Sequence, residues 1–317
     1  MPRLLIVLTL PKEVRDTYAS RLAQKFPELV IDVVDHYSKA SALMASADIL
    51  ITFGPMMKDE VFRHAPKLKW IQALGTGVDG ITDQPSLSPD VVVTNIRGIH
   101  GAPVSEAALM SMLALSRDLP RGLRCQAERS WTRFPARLLD DKAVGIVGIG
   151  LIAEALAPKC KAFGMTVVGF SSTRRAVAGI DHMYLRNELI AHAGELDYLV
   201  LLVPYAEDTR LLVDARVFAA MKPGSYLVNL ARGGVVDEDA LMAALEAGKL
   251  AGAALDVFQH EPLPADHPLW TAKNVIITPH QGGFCDVYPK LALPTIEHNM
   301  ACFLRGDFDG MVNVVRR

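Results

Sequence analysis

Short runs of Val, Ile and Leu with almost no polar alternation recur along this chain, and they limit its architecture more than any other feature. They fall at Leu4–Leu10, Val30–Val34, Ile49–Phe53, Trp70–Leu74, Val91–Thr94, Ala143–Val147, Thr166–Phe170, Tyr198–Val203, Tyr226–Asn229, Gly252–Asp256 and Val275–Thr278. A strand that is apolar on both faces has to be covered on both, which is the condition of a parallel sheet between helices. Segments of helical period lie between the runs, so the chain reads as repeated βαβ units.

The runs form two groups. Between them Val104–Leu115 reads as an amphipathic helix and Arg117–Asp141 as polar, irregular chain without a strand; a fresh strand then opens at Ala143. A chain of 317 residues is too long for a comfortable single core and suits two domains. The expectation is an α/β protein of two doubly wound parallel-sheet domains, the second opening near residue 100. The last segment, helical after the prolines that follow Tyr288 and ending in Gly310-Met-Val-Asn-Val-Val315, has no place in the second sheet and is expected to return to the first domain.

Charge and hydropathy narrow the function classes. Lys plus Arg total 33 against 35 for Asp plus Glu, a formal net charge of −2, so no electrostatic case for nucleic acid or an anionic membrane arises. A mean hydropathy of +0.22 raises the question of a membrane protein, but no run reaches the ~18 apolar residues a spanning helix needs. The apolar start, Arg3 to Leu10, is cut by Pro11-Lys12-Glu13 and reads as a buried strand rather than a leader. Cys125, Cys160, Cys285 and Cys302 form no metal-ligand spacing and read as reduced thiols of a cytoplasmic protein.

One turn carries a specific chemistry. Gly148-Ile-Gly150-Leu151-Ile152-Ala153 places GxGxxA directly after an apolar strand. Gly148 allows the tight turn, Gly150 lets a pyrophosphate approach the backbone, and Ala153 lets the helix pack closely. The helix that Leu151 and Ile152 begin supplies N–H donors and a positive dipole end. An NAD site expects an acid ~20 residues on, for the ribose 2′-hydroxyl. Here there is no Asp or Glu between Glu154 and Asp181, and the strand ending at Phe170 leads into Ser171-Ser172-Thr173-Arg174-Arg175. Hydroxyls and paired guanidiniums suit a 2′-phosphate, so NADP(H) is the expected cofactor and NAD(H) the second choice. The plain alternative is a solvated arginine pair on a loop.

Three further segments follow predicted strands: Asn229-Leu230-Ala231-Arg232-Gly-Gly, Asp256-Val-Phe-Gln-His-Glu261-Pro, and Thr278-Pro-His280-Gln-Gly282-Gly283. Taken singly, Arg232 reads equally as a surface arginine, Glu261-Pro262 as a turn and His280 as a helix cap. Together, behind a dinucleotide turn, they resemble the D-isomer-specific 2-hydroxyacid dehydrogenases over nearly the whole chain. Leu74-Gly75-Thr76-Gly77-Val78-Asp79 is similar to that family's substrate-carboxylate loop.

The resemblance implies a Rossmann-type cofactor domain, residues 100–286, inserted into a flavodoxin-like substrate domain of residues 1–99 and 287–317. It implies Arg232 as the substrate-binding arginine, His280 as acid/base and Glu261 as its partner, with Gly77 and Val78 holding the substrate carboxylate. It places Val203, Pro204, Leu230, Ala231, Asp256, Gly282 and Gly283 along the cofactor, with Arg232 and His280 beside it. The implied reaction is NADPH-dependent reduction of a small 2-keto acid, of glyoxylate or hydroxypyruvate type, to the D-2-hydroxy acid. A homodimer is implied too, through the Val104–Leu115 helix and the irregular stretch after it.

Two other readings compete. An NAD-dependent 3-phosphoglycerate-type dehydrogenase is disfavoured by the missing acid and by the expectation that no regulatory domain follows Arg317. A dinucleotide-sensing, corepressor-like protein can keep the Arg, Glu and His set, but is expected to carry disordered tails. The chain departs from the commonest pattern at Ala153, at Ser171 and at Phe284, where Phe284 would reshape the pocket or the subunit contact. Arg97 and His100 read equally as pocket lids and as hinge residues, and Trp131 and Trp270 as packing or dimer contacts rather than substrate ligands.

Overall fold

The computed structural model describes residues 1–54 and 57–316. The chain divides into two compact units, Met1–Ile99 with Asp286 onward, and His100–Cys285.

The first unit opens with β1 (Arg3–Val7), α1 (Lys12–Lys25), β2 (Val30–Val34), α2 (Ser41–Met44), β3 (Ile49–Thr52), α3 (Asp59–Phe62), β4 (Trp70–Ala73) and β5 (Val92–Thr94). The second contains α4 (Gly101–Ser116), α5 (Leu119–Ala127), β6 (Ala143–Val147), α6 (Leu151–Ala162), β7 (Thr166–Ser171), β8 (His182–Leu185), α7 (Leu189–His192) and β9 (Tyr198–Leu201). It continues through α8 (Ala215–Ala220), β10 (Ser225–Asn229), α9 (Glu238–Glu246), β11 (Leu250–Leu255) and β12 (Val275–Ile277). The chain then returns to the first unit as α10 (Tyr288–Leu304) and β13 (Val314–Arg316).

Sheet order in the second unit is β12-β11-β10-β9-β6-β7-β8, all parallel. The first strand of the unit is central, so the winding direction reverses between β6 and β9; ligands of open α/β sheets bind at such a switch point. Both faces are buried, as the runs of Val, Ile and Leu require. In β9, Leu199 and Leu201 pack with Phe170 and Leu227 on one face, while Tyr198 and Val200 pack with Met112, Leu156 and Val228 on the other.

The six-stranded sheet of the first unit runs β13-β5-β4-β3-β1-β2, the flavodoxin-like order with one added edge. That added edge is antiparallel, β13 pairing with β5, on an otherwise parallel sheet. The C-terminal return is anchored by charge and stacking. Glu297, only 7% exposed, takes Arg21 at 2.7 Å and Lys25 at 2.5 Å from α1, and Phe303 stacks on Trp70.

Two local expectations change. The stretch after Arg117 is not irregular throughout, since α5 occupies Leu119–Ala127; helix α10 begins at Tyr288 and takes Pro289 and Pro294 inside it. No helix among the described residues is long and apolar enough to cross a membrane. The positive hydropathy resides in strands buried on both faces.

Candidate active site

Because every strand of the second sheet is parallel, the loops after β6, β7, β9, β10, β11 and β12 all leave from one edge. Those loops, with the last residue of β7 and the first turn of α6, carry the expected site residues of this unit.

The turn after β6 has the conformations its glycines promise. Gly148 has φ +101°, and a Cβ there would sit 2.7 Å from the Val203 nitrogen, so it is glycine for both backbone shape and close approach. Gly150 caps α6 in an extended conformation, and a Cβ on it would meet nothing within 4 Å. The protein's own packing does not require glycine there, and the open space leaves the backbone accessible to a ligand. Ala153 is fully buried. These features fit a dinucleotide pyrophosphate over Leu151 and Ile152 at the helix N-terminus.

Ser171 closes β7 and is buried, whereas Ser172, Thr173, Arg174 and Arg175 are exposed. Arg174 and Arg175 line a surface depression with Val177, Ile180 and Met183. Each is paired: Arg174 with both oxygens of Glu188 at 2.7 Å, and Arg175 with Glu154 at 2.6 Å. Arg174 holds the Glu188 carboxyl below the usual carboxylate range, helped by the Leu185 N–H. The stretch that is acid-free in sequence is therefore flanked by two carboxylates in space, which the local pattern could not show.

The loop after β10 is held by Asn229, whose amide donates to the Arg232 carbonyl at 3.2 Å and accepts from the Ala231 N–H at 3.1 Å. Arg232 is half-buried, and its Nη1 donates to the Ala231 carbonyl at 2.7 Å. Next to it Gly233 packs on another backbone: a Cβ would fall 1.8 Å from the Phe258 carbonyl carbon. That contact fixes the Arg232 loop against the segment carrying Glu261.

Glu261 accepts the Phe258 N–H at 2.9 Å through one oxygen and faces His280 Nδ1 at 2.7 Å through the other. An Nδ1–H donating to the carboxylate assigns the ring tautomer and leaves Nε2 as the atom that exchanges a proton. His280 itself has φ +51°, a conformation that costs a non-glycine residue roughly 1–2 kcal/mol. The neighbourhood holds it there through Asp256, 4% exposed. The Asp256 carbonyl accepts the His280 N–H at 2.8 Å, and its carboxylate takes Thr278 Oγ1 at 2.5 Å, the Gln281 N–H at 2.9 Å and the Gly282 N–H at 2.8 Å. Asp256, expected beside the cofactor, thus also builds the histidine loop.

His100, equally a lid or a hinge residue by its place in the sequence, is buried, and a Cβ on Gly283 would touch its ring at 2.9 Å. Burial first, and the Arg232 charge second, lower its pKa to about 4, so it is neutral near pH 7. Val203 and Ala231 are buried, Leu230 approaches Gly282, and Pro204 accepts the Thr209 hydroxyl at 2.8 Å. Tyr205, unremarked in sequence, covers Gly234, where a Cβ would fall 2.6 Å from its ring. In the first unit, Gly77 and Val78 are half-buried in the loop after β4, where the Asn95 amide donates to the Thr76 carbonyl at 2.7 Å.

Residues 109–282 match the family model for the NAD-binding domain of D-isomer specific 2-hydroxyacid dehydrogenases. D-3-phosphoglycerate dehydrogenase of Methanocaldococcus jannaschii is 35% identical over 276 residues, covering 84% of this chain and 52% of that protein. Glyoxylate/hydroxypyruvate reductase A of Serratia proteamaculans is 31% identical over 276 residues, covering 85% and 87%. The solved structure of a D-isomer specific 2-hydroxyacid dehydrogenase family protein from Aeromonas salmonicida is 33% identical, with a TM-score of 0.85 over 99% of each chain. The chain thus spans about half the length of the phosphoglycerate dehydrogenase and most of the other two.

Proposed function

The chain belongs to the D-isomer specific 2-hydroxyacid dehydrogenase family, and from that membership we propose that it reduces a small 2-keto acid, of glyoxylate or hydroxypyruvate type, to the D-2-hydroxy acid with NADPH. The observation that carries this reading is the 2.7 Å pairing of His280 Nδ1 with Glu261 on the sheet edge that also carries Arg232 and the glycine turn.

A nicotinamide dinucleotide held over the Gly148–Ile152 turn would supply hydride chemistry at the carbonyl carbon. The chain supplies the rest. His280 gives its Nε2 proton to the carbonyl oxygen, and Glu261 steadies the imidazolium and fixes its orientation. Arg232 binds the substrate carboxylate and the carbonyl oxygen through its fork of donors, stabilising the charge that develops there. Neutral His100 adds no second positive charge beside Arg232. Gly77 and Val78 are proposed as carboxylate-binding positions on the first unit.

The exposed Ser172–Arg175 segment, lacking an acid at the end of β7, supports NADPH over NADH. The 35% identity to a phosphoglycerate dehydrogenase supports a second substrate reading, 3-phosphohydroxypyruvate. Four free thiols suit a reducing, cytoplasmic setting. Met110, Leu119, Leu123, Leu138 and Trp131, the last 96% exposed, place apolar surface on and after α4, which supports a homodimer there.

The test is NADPH oxidation with glyoxylate, hydroxypyruvate, 3-phosphohydroxypyruvate and longer keto acids, repeated with NADH. Preference for the first two substrates and for NADPH supports the proposal. Tight cofactor binding without turnover of any of them overturns it.

A further inference from the structure

The two arginines after β7 are held by carboxylates from two different places. Glu188 ends the short 3-10 turn Arg186–Glu188 after β8. It is fixed there because one of the two oxygens that meet Arg174, Oε2, also accepts the Leu185 N–H at 2.6 Å. Glu154 lies in the first turn of α6. Arg175 reaches it while donating to the Ile149 carbonyl at 3.1 Å, so one guanidinium ties the first turn of α6 to the middle of the glycine turn. Two cations and two anions cancel, and a 2′-phosphate approaching this loop is repelled by the same carboxylates that hold its ligands.

We propose that Glu154 and Glu188 set the cofactor selectivity of this chain, acting as counter-ions that hold Arg175 and Arg174 in a resting pairing which a 2′-phosphate has to displace. The proposal rests on the reading of Arg174 and Arg175 as 2′-phosphate ligands. The exchange is within reach of a phosphate. The side chains are 57% and 33% exposed in the Arg174–Glu188 pair and 44% and 38% in the Arg175–Glu154 pair. Pairs this wet are worth a factor of about five at most. A phosphate near pH 7 brings nearly two charges and three acceptor oxygens against the single charge of a carboxylate.

The two glutamates have different signatures. Glu188 stands by Arg174 alone, so it opposes only the 2′-phosphate. Glu154 stands at the N-terminus of the helix that receives the pyrophosphate. Once Arg175 turns to a 2′-phosphate, that carboxylate faces the pyrophosphate of NADPH uncompensated; with Arg175 removed, it opposes both cofactors.

The experiment measures Kd for NADPH and NADH, with 2′,5′-ADP and 5′-AMP as fragment probes, on wild type, Glu188→Gln, Glu154→Gln, Arg174→Ala, Arg175→Ala and Arg175→Ala/Glu154→Gln. Thermal unfolding confirms that each variant is folded. Glu188→Gln should tighten NADPH and 2′,5′-ADP about two- to five-fold and leave NADH and 5′-AMP unchanged. Glu154→Gln should tighten NADPH more than NADH, Arg175→Ala should weaken both, and the double variant should recover NADH but not NADPH. An NADPH preference, taken as Kd for NADH over Kd for NADPH, that Glu188→Gln leaves unchanged or lowers overturns the proposal. If Arg174→Ala still lowers that preference, the 2′-phosphate reading survives alone; if neither variant moves it, both fail.

Discussion

Glu261 serves two donors at once, and that double duty makes Glu261→Gln a sharp perturbation. In the native chain one oxygen accepts the Phe258 N–H at 2.9 Å and the other accepts from His280 Nδ1 at 2.7 Å. A carboxylate accepts on both sides; an amide has one acceptor and one donor group. If the glutamine keeps the Phe258 bond, its NH2 faces Nδ1, which then has to be unprotonated, and the imidazolium needed to protonate the substrate loses its partner. If the amide turns over, two N–H groups meet at Phe258 instead. Losing one charge-assisted bond costs about 1.5–3 kcal/mol, or roughly ten- to a hundred-fold in rate. Trapping the wrong tautomer costs more, and a like carboxylate-to-amide change in a catalytic triad costs about 10⁴. We therefore expect kcat to fall by about 10²–10⁴ with the Kd for NADPH unchanged. The assay is NADPH absorbance under saturating keto acid, with single-turnover measurements so that product release does not mask the chemical step. A kcat within tenfold of wild type would refute the reasoning.

His280→Ala should cut turnover at least about 10²-fold while equilibrium titration shows native NADPH affinity; joint loss of both would make the histidine a structural element of its loop. Gly233→Ala drives a methyl into the Phe258 carbonyl, 1.8 Å from where its Cβ would lie, and should cost about 3 kcal/mol or more, read as a lowered Tm; an unchanged Tm contradicts the contact. His100 contributes a pH dependence whose sign follows from its pKa, lowered from 6.5 to about 4. The unfolded chain binds this proton more readily, so stability present above about pH 6.5 is lost as pH falls towards 4, by up to about 3 kcal/mol for this site. Urea unfolding at pH 7 and pH 5 should show a smaller difference in His100→Asn than in wild type, and an equal difference would rule the site out.

Apolar runs told where strands lie because burial on both faces leaves no room for polar alternation, and each run identified from sequence is a strand of one of the two sheets. The strands that escaped, β8 and β13, are edges with one neighbour each. His182 at the exposed start of β8 breaks the apolar signal. The glycine turn was legible because backbone conformation is written in residue type, as at Gly148. The counter-ions were not. Glu154 and Glu188 meet Arg175 and Arg174 across 21 and 14 residues, through loops whose course is set by tertiary packing. A window free of acids in the chain is a weaker statement than a surface free of acids in space. His100 was legible only as a residue near the crossing; its neutrality depends on burial and on Arg232, distant in sequence.

The most direct test of the central claim is the product of hydroxypyruvate reduction. With NADPH and the wild-type chain, the account predicts steady NADPH oxidation and accumulation of D-glycerate by chiral separation, both abolished in His280→Ala. Formation of L-glycerate, or no glycerate while NADPH binds tightly, would contradict it.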